Sequence, residues 1–142
     1  MATLERAIEI AVAAHRDQHD RAGRPYILHP LWLMHRFEDL DAMIVAVLHD
    51  TVEDSEFSLQ DLADEGFASP IVEAVDALTR RQDESYESFA LRSRAHPLAR
   101  RVKLADLEHN LDVRRLDTLG PDDLERLAKY HRAWRLLRES AA

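Results

Sequence analysis

The densest group of chemically capable side chains is His49-Asp50-Thr51-Val52-Glu53-Asp54, which follows directly on Ala42–Leu48, a run that is apolar nearly all round. At helical spacing His49 and Glu53 fall one turn apart, as do Asp50 and Asp54, so three acids and an imidazole crowd the end of a buried helix. Acids taken out of water repel one another, and a cation among them relieves both the repulsion and the desolvation cost. His29 is held between Pro25 and Pro30, and a second helical pattern presents Lys103, Asp106 and Asn110 as a polar stripe opposite Val102, Leu104, Ala105 and Leu111. With Asp106 as a fourth ligand, two imidazoles and two carboxylates form a mixed nitrogen and oxygen set. That set suits Mn²⁺, Fe²⁺ or a Mg²⁺-like octahedral ion with open water positions better than closed structural zinc. A divalent ion of this kind acidifies a water and polarises a phosphoryl oxygen, while a carboxylate such as Glu53 orients the water or takes its proton. Acids at a helix end are also what a solvated cap looks like, and spacing alone leaves both readings open. His15, His19, His35, His96 and His131 read as surface residues or satisfied core groups.

Composition narrows the chemistry. The 142 residues amount to one domain, expected over residues 1–142, and a single site. Acids outnumber Lys and Arg by 27 to 19, a formal charge of −8, which argues against nucleic acid or an anionic membrane as partner and leaves a small anionic substrate open. The absence of Cys removes disulfides, thiolate zinc sites, iron–sulfur clusters and Cys nucleophiles. No signal-peptide pattern or long uncharged apolar run is present, so the expected location is the cytoplasm.

Three Gly among abundant Ala, Leu, Glu and Arg favour helices over hairpins. Apolar residues at three- and four-residue spacing predict a helix from Leu4 to His15 with Thr3 as N-cap, then an extended Tyr26–His29 segment and a second helix from Pro30. The apolar run 42–48 is expected to be the central helix, running straight into its acidic end. Ser58 with Asp61 opens a short helix, and Ser69-Pro70 opens another through Leu78. Further helices span Ser85 to Arg94, Leu98 to Arg115, and the region after Gly120-Pro121 to about Arg138. The last carries the stripe Leu124, Leu127, Tyr130, Trp134 and Leu137, which reads as core packing. The expected fold is therefore all-α, a bundle of about seven to eight helices.

Taken in order, Tyr26-Ile27-Leu28-His29-Pro30, Val47-Leu48-His49-Asp50-Thr51-Val52-Glu53-Asp54 and Val102-Lys103-Leu104-Ala105-Asp106-Leu107-Glu108-His109-Asn110 resemble the HD-domain hydrolases of the RelA/SpoT type, including the stand-alone small alarmone hydrolases. The pattern H…HD…ED…D…N is met in sequence over residues 8 to 115, most of the chain. The resemblance implies a single HD-type helical domain that binds Mn²⁺, or another divalent cation, and removes the 3′-pyrophosphate of guanosine tetra- or pentaphosphate. It makes His29, His49, Asp50 and Asp106 the metal ligands. Glu53 and Asp54 occupy the positions that orient or activate the attacking water, and Lys103 and Asn110 those that line the substrate pocket. The synthetase domain of the long bifunctional members has no room in this length.

One position departs from the pattern. Nine residues before the motif His the family commonly has an Arg, and this chain has Asp20 followed by Arg21. Arg21 is a candidate substitute for the nucleotide contact, with a solvated loop arginine as the alternative. Tyr86, beside Phe89, is a candidate for stacking on the base, with a half-buried structural Tyr as the alternative. Asp20 also keeps open the same chemistry on another nucleotide or a dinucleotide cofactor's phosphate. A non-catalytic nucleotide-sensing module is the reading from a different class.

Overall fold

A computed structural model describes residues 2–139 as nine α-helical segments and one 3-10 turn; Met1 and residues 140–142 lie outside the described residues. The helices are α1 (Leu4–Ala14), α2 (Leu28–Met34), α3 (Leu40–Leu48), α4 (Thr51–Asp54), α5 (Leu59–Asp64), α6 (Ser69–Ala77), α7 (Tyr86–Ala95), α8 (Pro97–Asn110) and α9 (Pro121–Arg138), with the 3-10 turn at Val113–Arg115 before α9. No strand forms among the described residues beyond an isolated bridge between His19 and Pro25, and no helix there is long and apolar enough to cross a membrane. The fold is the expected all-α bundle.

Local chemistry sets most of the boundaries. Thr3, Ser58 and Ser85 each accept a backbone N–H of the first turn, and Asp61 returns the bond to the Ser58 N–H, completing a capping box. His96 caps α8 by accepting from Ala99, and Pro97 takes the first helical position, where a missing N–H costs nothing. Three boundaries differ from the sequence expectation. The helix expected from Leu98 to Arg115 ends at Asn110, and Val113–Arg115 forms a separate 3-10 turn that Asp112 caps. Tyr26–His29 is a helical turn, with Ile27 in the right-handed region and the His29 N–H bonded to the Tyr26 carbonyl at 3.0 Å, so Pro25 and Pro30 bracket the start of α2 rather than a strand-like segment. The central helix does not continue into the acids. Asp50, at φ −102° and ψ 1°, breaks it, and α4 restarts as a single turn.

Helix α3 is the buried axis, with Ala42 and Ile44 to Leu48 inside and α1, α2, α6 and α8 packed around it. α8 lies between two cores. Ala99, Val102 and Ala105 join the main core of α1, α2, α3, α5 and α6, while Leu107 joins Ala90, Ala133 and Leu137 in a smaller core made with α7 and α9. With partners on both sides, α8 keeps only a narrow wet strip at Pro97, Arg101 and Glu108, and Lys103 and Asp106 are buried rather than solvated. The last-helix stripe is partly corrected too. Leu137 is buried and Tyr130 and Trp134 pack on the small core, but Leu124 is 58% exposed.

Candidate metal and phosphate site

The end of α3 leaves the Ala46 carbonyl without a helical partner, and the His49 Nδ1–H donates to it at 2.7 Å. A carbonyl only accepts, so this bond keeps one proton on Nδ1 and makes Nε2 the atom that takes either a second proton or a metal. That Nε2 is buried, has no hydrogen-bond partner, and lies 3.0 Å from Asp50 Oδ2 and 3.5 Å from Asp106 Oδ1. Three electron-rich atoms thus converge where burial forbids water from separating them. Burial alone would lower the basicity of His49, but the two carboxylates outweigh it and the imidazole holds a proton well above its ordinary range. A proton is one answer to this arrangement and a divalent cation the other.

The other donors come from α2 and α8. His29, also buried, offers Nε2 to Asp106 Oδ1 at 2.9 Å and sits 5.2 Å from the His49 ring, centroid to centroid. Atoms of His29, His49 and Asp50 lie within 4.8 Å of one another. Asp50 also accepts from the Tyr26 hydroxyl; despite burial, the neighbouring His49 draws its carboxyl down to about 2. Asp106 Oδ1 accepts in addition from Asn110 Nδ2 at 3.1 Å, and Oδ2 accepts from Lys103 Nζ at 3.0 Å. A contact of that kind is worth about 4 kcal/mol at an effective dielectric near 20. It outweighs burial and holds the Asp106 carboxyl well below, and the Lys103 ammonium above, their usual ranges. The donor set of two imidazoles and two ionised carboxylates, with one buried nitrogen unsatisfied, fits a hard to borderline divalent ion.

A cavity of about 320 Å³ opens from Tyr26 and His29, past Asn110, to Arg115, Arg126 and Tyr130. One wall is the 19–26 loop. Asp20 Oδ1 accepts the N–H groups of Ala22 and Arg24, and Gly23 takes φ +82°, a conformation a side chain would strain. Asp20 Oδ2 lies 3.7 Å from Arg115 Nη2, so the loop is tied to the segment that follows α8.

Chains similar to this one are known. The chain is 36% identical over 139 residues to a probable guanosine-3′,5′-bis(diphosphate) 3′-pyrophosphohydrolase from Synechocystis, 87% of this chain and 18% of that protein. It is 34% identical over 135 residues to the Haemophilus influenzae protein of the same name, 84% and 20%, and 31% identical over 142 residues to a probable GTP pyrophosphokinase from Mycobacterium leprae, 91% and 18%. The solved structure of a metazoan ortholog of SpoT, described as hydrolysing ppGpp, superposes with a TM-score of 0.78 at 21% identity, covering all of this chain and 89% of that one. The chain is RelA/SpoT hydrolase-like. No protein-family model matches it, and it spans about a fifth of the length of the curated relatives it matches.

Within this RelA/SpoT-like fold the expected site residues fall into three groups. His29, His49 and Asp50 bring ligand atoms within 4.8 Å of one another, and Asp106 joins them at 2.9 Å from His29 and 3.5 Å from His49, with Asn110 attached through it. Asp54 faces the same group: partial burial, then the charges of Asp50 and Glu53, push its carboxyl up to about 6. Glu53 turns away, accepting the Arg80 N–H at 2.8 Å. Lys103 does not line the cavity but points at Asp106 beneath the rings of Phe89, at 4.7 Å, and Tyr86, at 5.5 Å. Tyr86 accordingly packs against the Lys103 ammonium and lines a separate cavity of about 310 Å³ with Lys129 and Arg132, not the one beside His29. Arg21 lines the cavity, with no ion pair among the described residues.

Sequence reasoning missed several participants. His109 touches His29, its Nδ1 at 2.7 Å from that of His29; burial followed by the nearby His29 lowers its basicity to about 4. The signal was its position one turn after Asp106 on a helix whose polar side points inward. Tyr130 and Arg126, four residues apart on α9, line the cavity together, a pairing hidden in the apolar stripe. His15, read as bland, is buried against Tyr26 at 4.9 Å and held by Gln18, whose amide also donates to the Asp54 carbonyl.

Proposed function

We propose that the chain is a metal-dependent phosphohydrolase, one HD-type domain, that removes the 3′-pyrophosphate of guanosine tetra- or pentaphosphate in the cytoplasm. The observation that carries this reading is the buried Nε2 of His49 facing Asp50 and Asp106, behind the His29 wall of an arginine-lined cavity. The names of the curated relatives and of the structural neighbour supply the substrate.

His29, His49, Asp50 and Asp106 would hold the ion, with Mn²⁺ the expected metal. When bound, it acidifies water and polarises the scissile phosphoryl group. Asp54, with a carboxyl near 6, is able to accept a proton at neutral pH and to hand it on. Glu53 fixes the strip that carries Asp54 by anchoring the Arg80 backbone. Lys103 keeps Asp106 ionised and oriented, and Asn110 presents its amide to both Asp106 and the cavity. Arg21, Arg115 and Arg126 supply the positive charge that an anionic nucleotide needs in a chain of net −8.

Purified protein with Mn²⁺ is expected to release pyrophosphate from guanosine tetraphosphate, and Asp50→Ala to abolish the release. Inactivity of the wild type on that substrate across Mn²⁺, Mg²⁺, Co²⁺ and Fe²⁺ overturns the substrate assignment. The Asp20–Arg115 pair favours keeping a second reading, hydrolysis of another nucleotide or of a dinucleotide cofactor's ribose phosphate. The leaving group separates them, since that reaction releases orthophosphate. Thermal stabilisation by nucleotide without turnover under any of these metals would instead identify a sensing module.

A further inference from the structure

We propose that His109 is the positioning residue for His29, selecting the imidazole tautomer that leaves Nε2 of His29 free for the metal; the inference rests on reading His29 as a ligand. Helix α8 grips both nitrogens of that ring with residues one turn apart, Asp106 Oδ1 at 2.9 Å from Nε2 and His109 Nδ1 at 2.7 Å from Nδ1. Two N–H groups cannot face each other at 2.7 Å, so one proton is shared between the two Nδ1 atoms, and either ring is able to hold it.

A ligating imidazole binds through a bare nitrogen. With Nε2 of His29 on a metal, the ring proton moves to Nδ1, and the neutral His109 must then present a bare Nδ1 and carry its own proton on Nε2. The hydrogen bond therefore survives loading and reverses direction. An acceptor behind a metal-bound imidazole fixes the ring's orientation and raises its basicity, the part usually played by a carboxylate or carbonyl. Here it is played by a second imidazole, and His109 is held on its own account. Its ring stacks on Trp32 with centroids 4.0 Å apart and planes 6° from parallel, it is coplanar with His29 within 2°, and its carbonyl accepts from Arg115 Nη1 at 3.1 Å. Trp32 thus sets the plane in which the acceptor lies, a reason for a large aromatic ring on the outer side of α2.

Two variants separate the acceptor from the ring. His109→Phe keeps a ring to stack on Trp32 and deletes the acceptor; His109→Asn places an amide oxygen near the Nδ1 position and deletes the ring. Mn²⁺ affinity, measured by titration calorimetry and by the signal of free Mn²⁺ in electron paramagnetic resonance, is expected to fall about 10- to 100-fold in His109→Phe and to stay within about threefold of wild type in His109→Asn. Affinity within twofold of wild type in His109→Phe, or an equal loss in both variants, overturns the proposal. Should His109→Phe fail to fold, ¹⁵N NMR of the wild type loaded with diamagnetic Zn²⁺ decides. A proton on His29 Nδ1 supports the assignment, and a bare Nδ1 there overturns it. His29→Ala distinguishes the underlying reading: if it binds Mn²⁺ as wild type does, His29 is not a ligand and that reading fails, whereas its loss alongside an unaffected His109→Phe refutes the positioning role alone.

Discussion

The two ends of the cavity are built by opposite rules. Behind the inner end, where His29 alone of the group reaches the cavity wall, His29, His49, Lys103, Asp106 and His109 are all buried, and each is held by at least one other member of the group. At the outer end, Arg21 is exposed, Arg115 is paired with Asp20 across 3.7 Å in partial contact with water, and Arg126 is paired with Asp123 on its own helix. Buried charges without partners are costly, so the inner group tolerates few substitutions; the outer pairs keep some contact with water and lie outside the interlocked group, so the outer end is freer to change. On the proposed function, the reaction type would rest on the interlocked buried group and the choice of nucleotide on residues of little structural consequence.

That contrast is breakable by experiment. Asp106→Ala should have the largest effect, leaving Lys103 buried without its carboxylate. A loss of about 3–5 kcal/mol in urea unfolding is expected, together with loss of Mn²⁺ binding and of pyrophosphate release. A loss under about 1 kcal/mol would show that the inner end is not interlocked. Next in size, Mn²⁺ at a hundred times its dissociation constant should stabilise the metal-free protein by about 2.7 kcal/mol, read as a rise in melting temperature that chelation reverses. No rise would remove the metal from the inner end altogether.

Asp54 gives a smaller effect with a defined sign. Its carboxyl is pushed up to about 6 from an ordinary value of 3.8 by burial and by the neighbouring acids, so the folded metal-free protein holds this proton more tightly than the unfolded chain does. The contribution is favourable below the unfolded value and is lost as pH rises through about 6. Metal-free Asp54→Asn is therefore expected to melt above wild type at pH 7.5, with the difference vanishing near pH 4. A constant difference across that range would show that Asp54 does not feel Asp50. The smallest stability change belongs to Arg115→Ala, within about 1 kcal/mol. Its expected signature is kinetic, a KM raised about tenfold with kcat little changed, as for a contact made equally in ground and transition states. A fall in kcat with unchanged KM would move Arg115 from the recognising end to the reacting one.

The fold was legible wherever a local interaction decides it. The caps at Thr3, Ser58 and Ser85, the proline at the start of α8 and the unbroken apolarity of Ala42–Leu48 each state an element without reference to the rest of the chain. The site was legible as a set of residue types, because His29, His49, Asp50 and Asp106 are unusual where they stand. Their partners were not. Nothing in the residues 103–110 says that the polar stripe of α8 faces inward, since that follows from α7 and α9 covering its other side. The break at Asp50 was equally hidden, and it is the break that turns Glu53 toward Arg80 while Asp54 stays with the cluster. His109 and Tyr130 went unnoticed for the same reason, being ordinary residues given a task by neighbours far away in sequence.

The bond between His29 and Asp106 joins residues 77 positions apart, and the one between His29 and His109 residues 80 apart. The first two-thirds of the chain holds His29, His49 and Asp50, yet every group that orients or neutralises them from the opposite side rides on α8. During synthesis a ribosome-bound chain would carry three donors in search of a cation well before it could hold one firmly, and the centre would come into being only when α8 leaves the exit tunnel and closes the long loop.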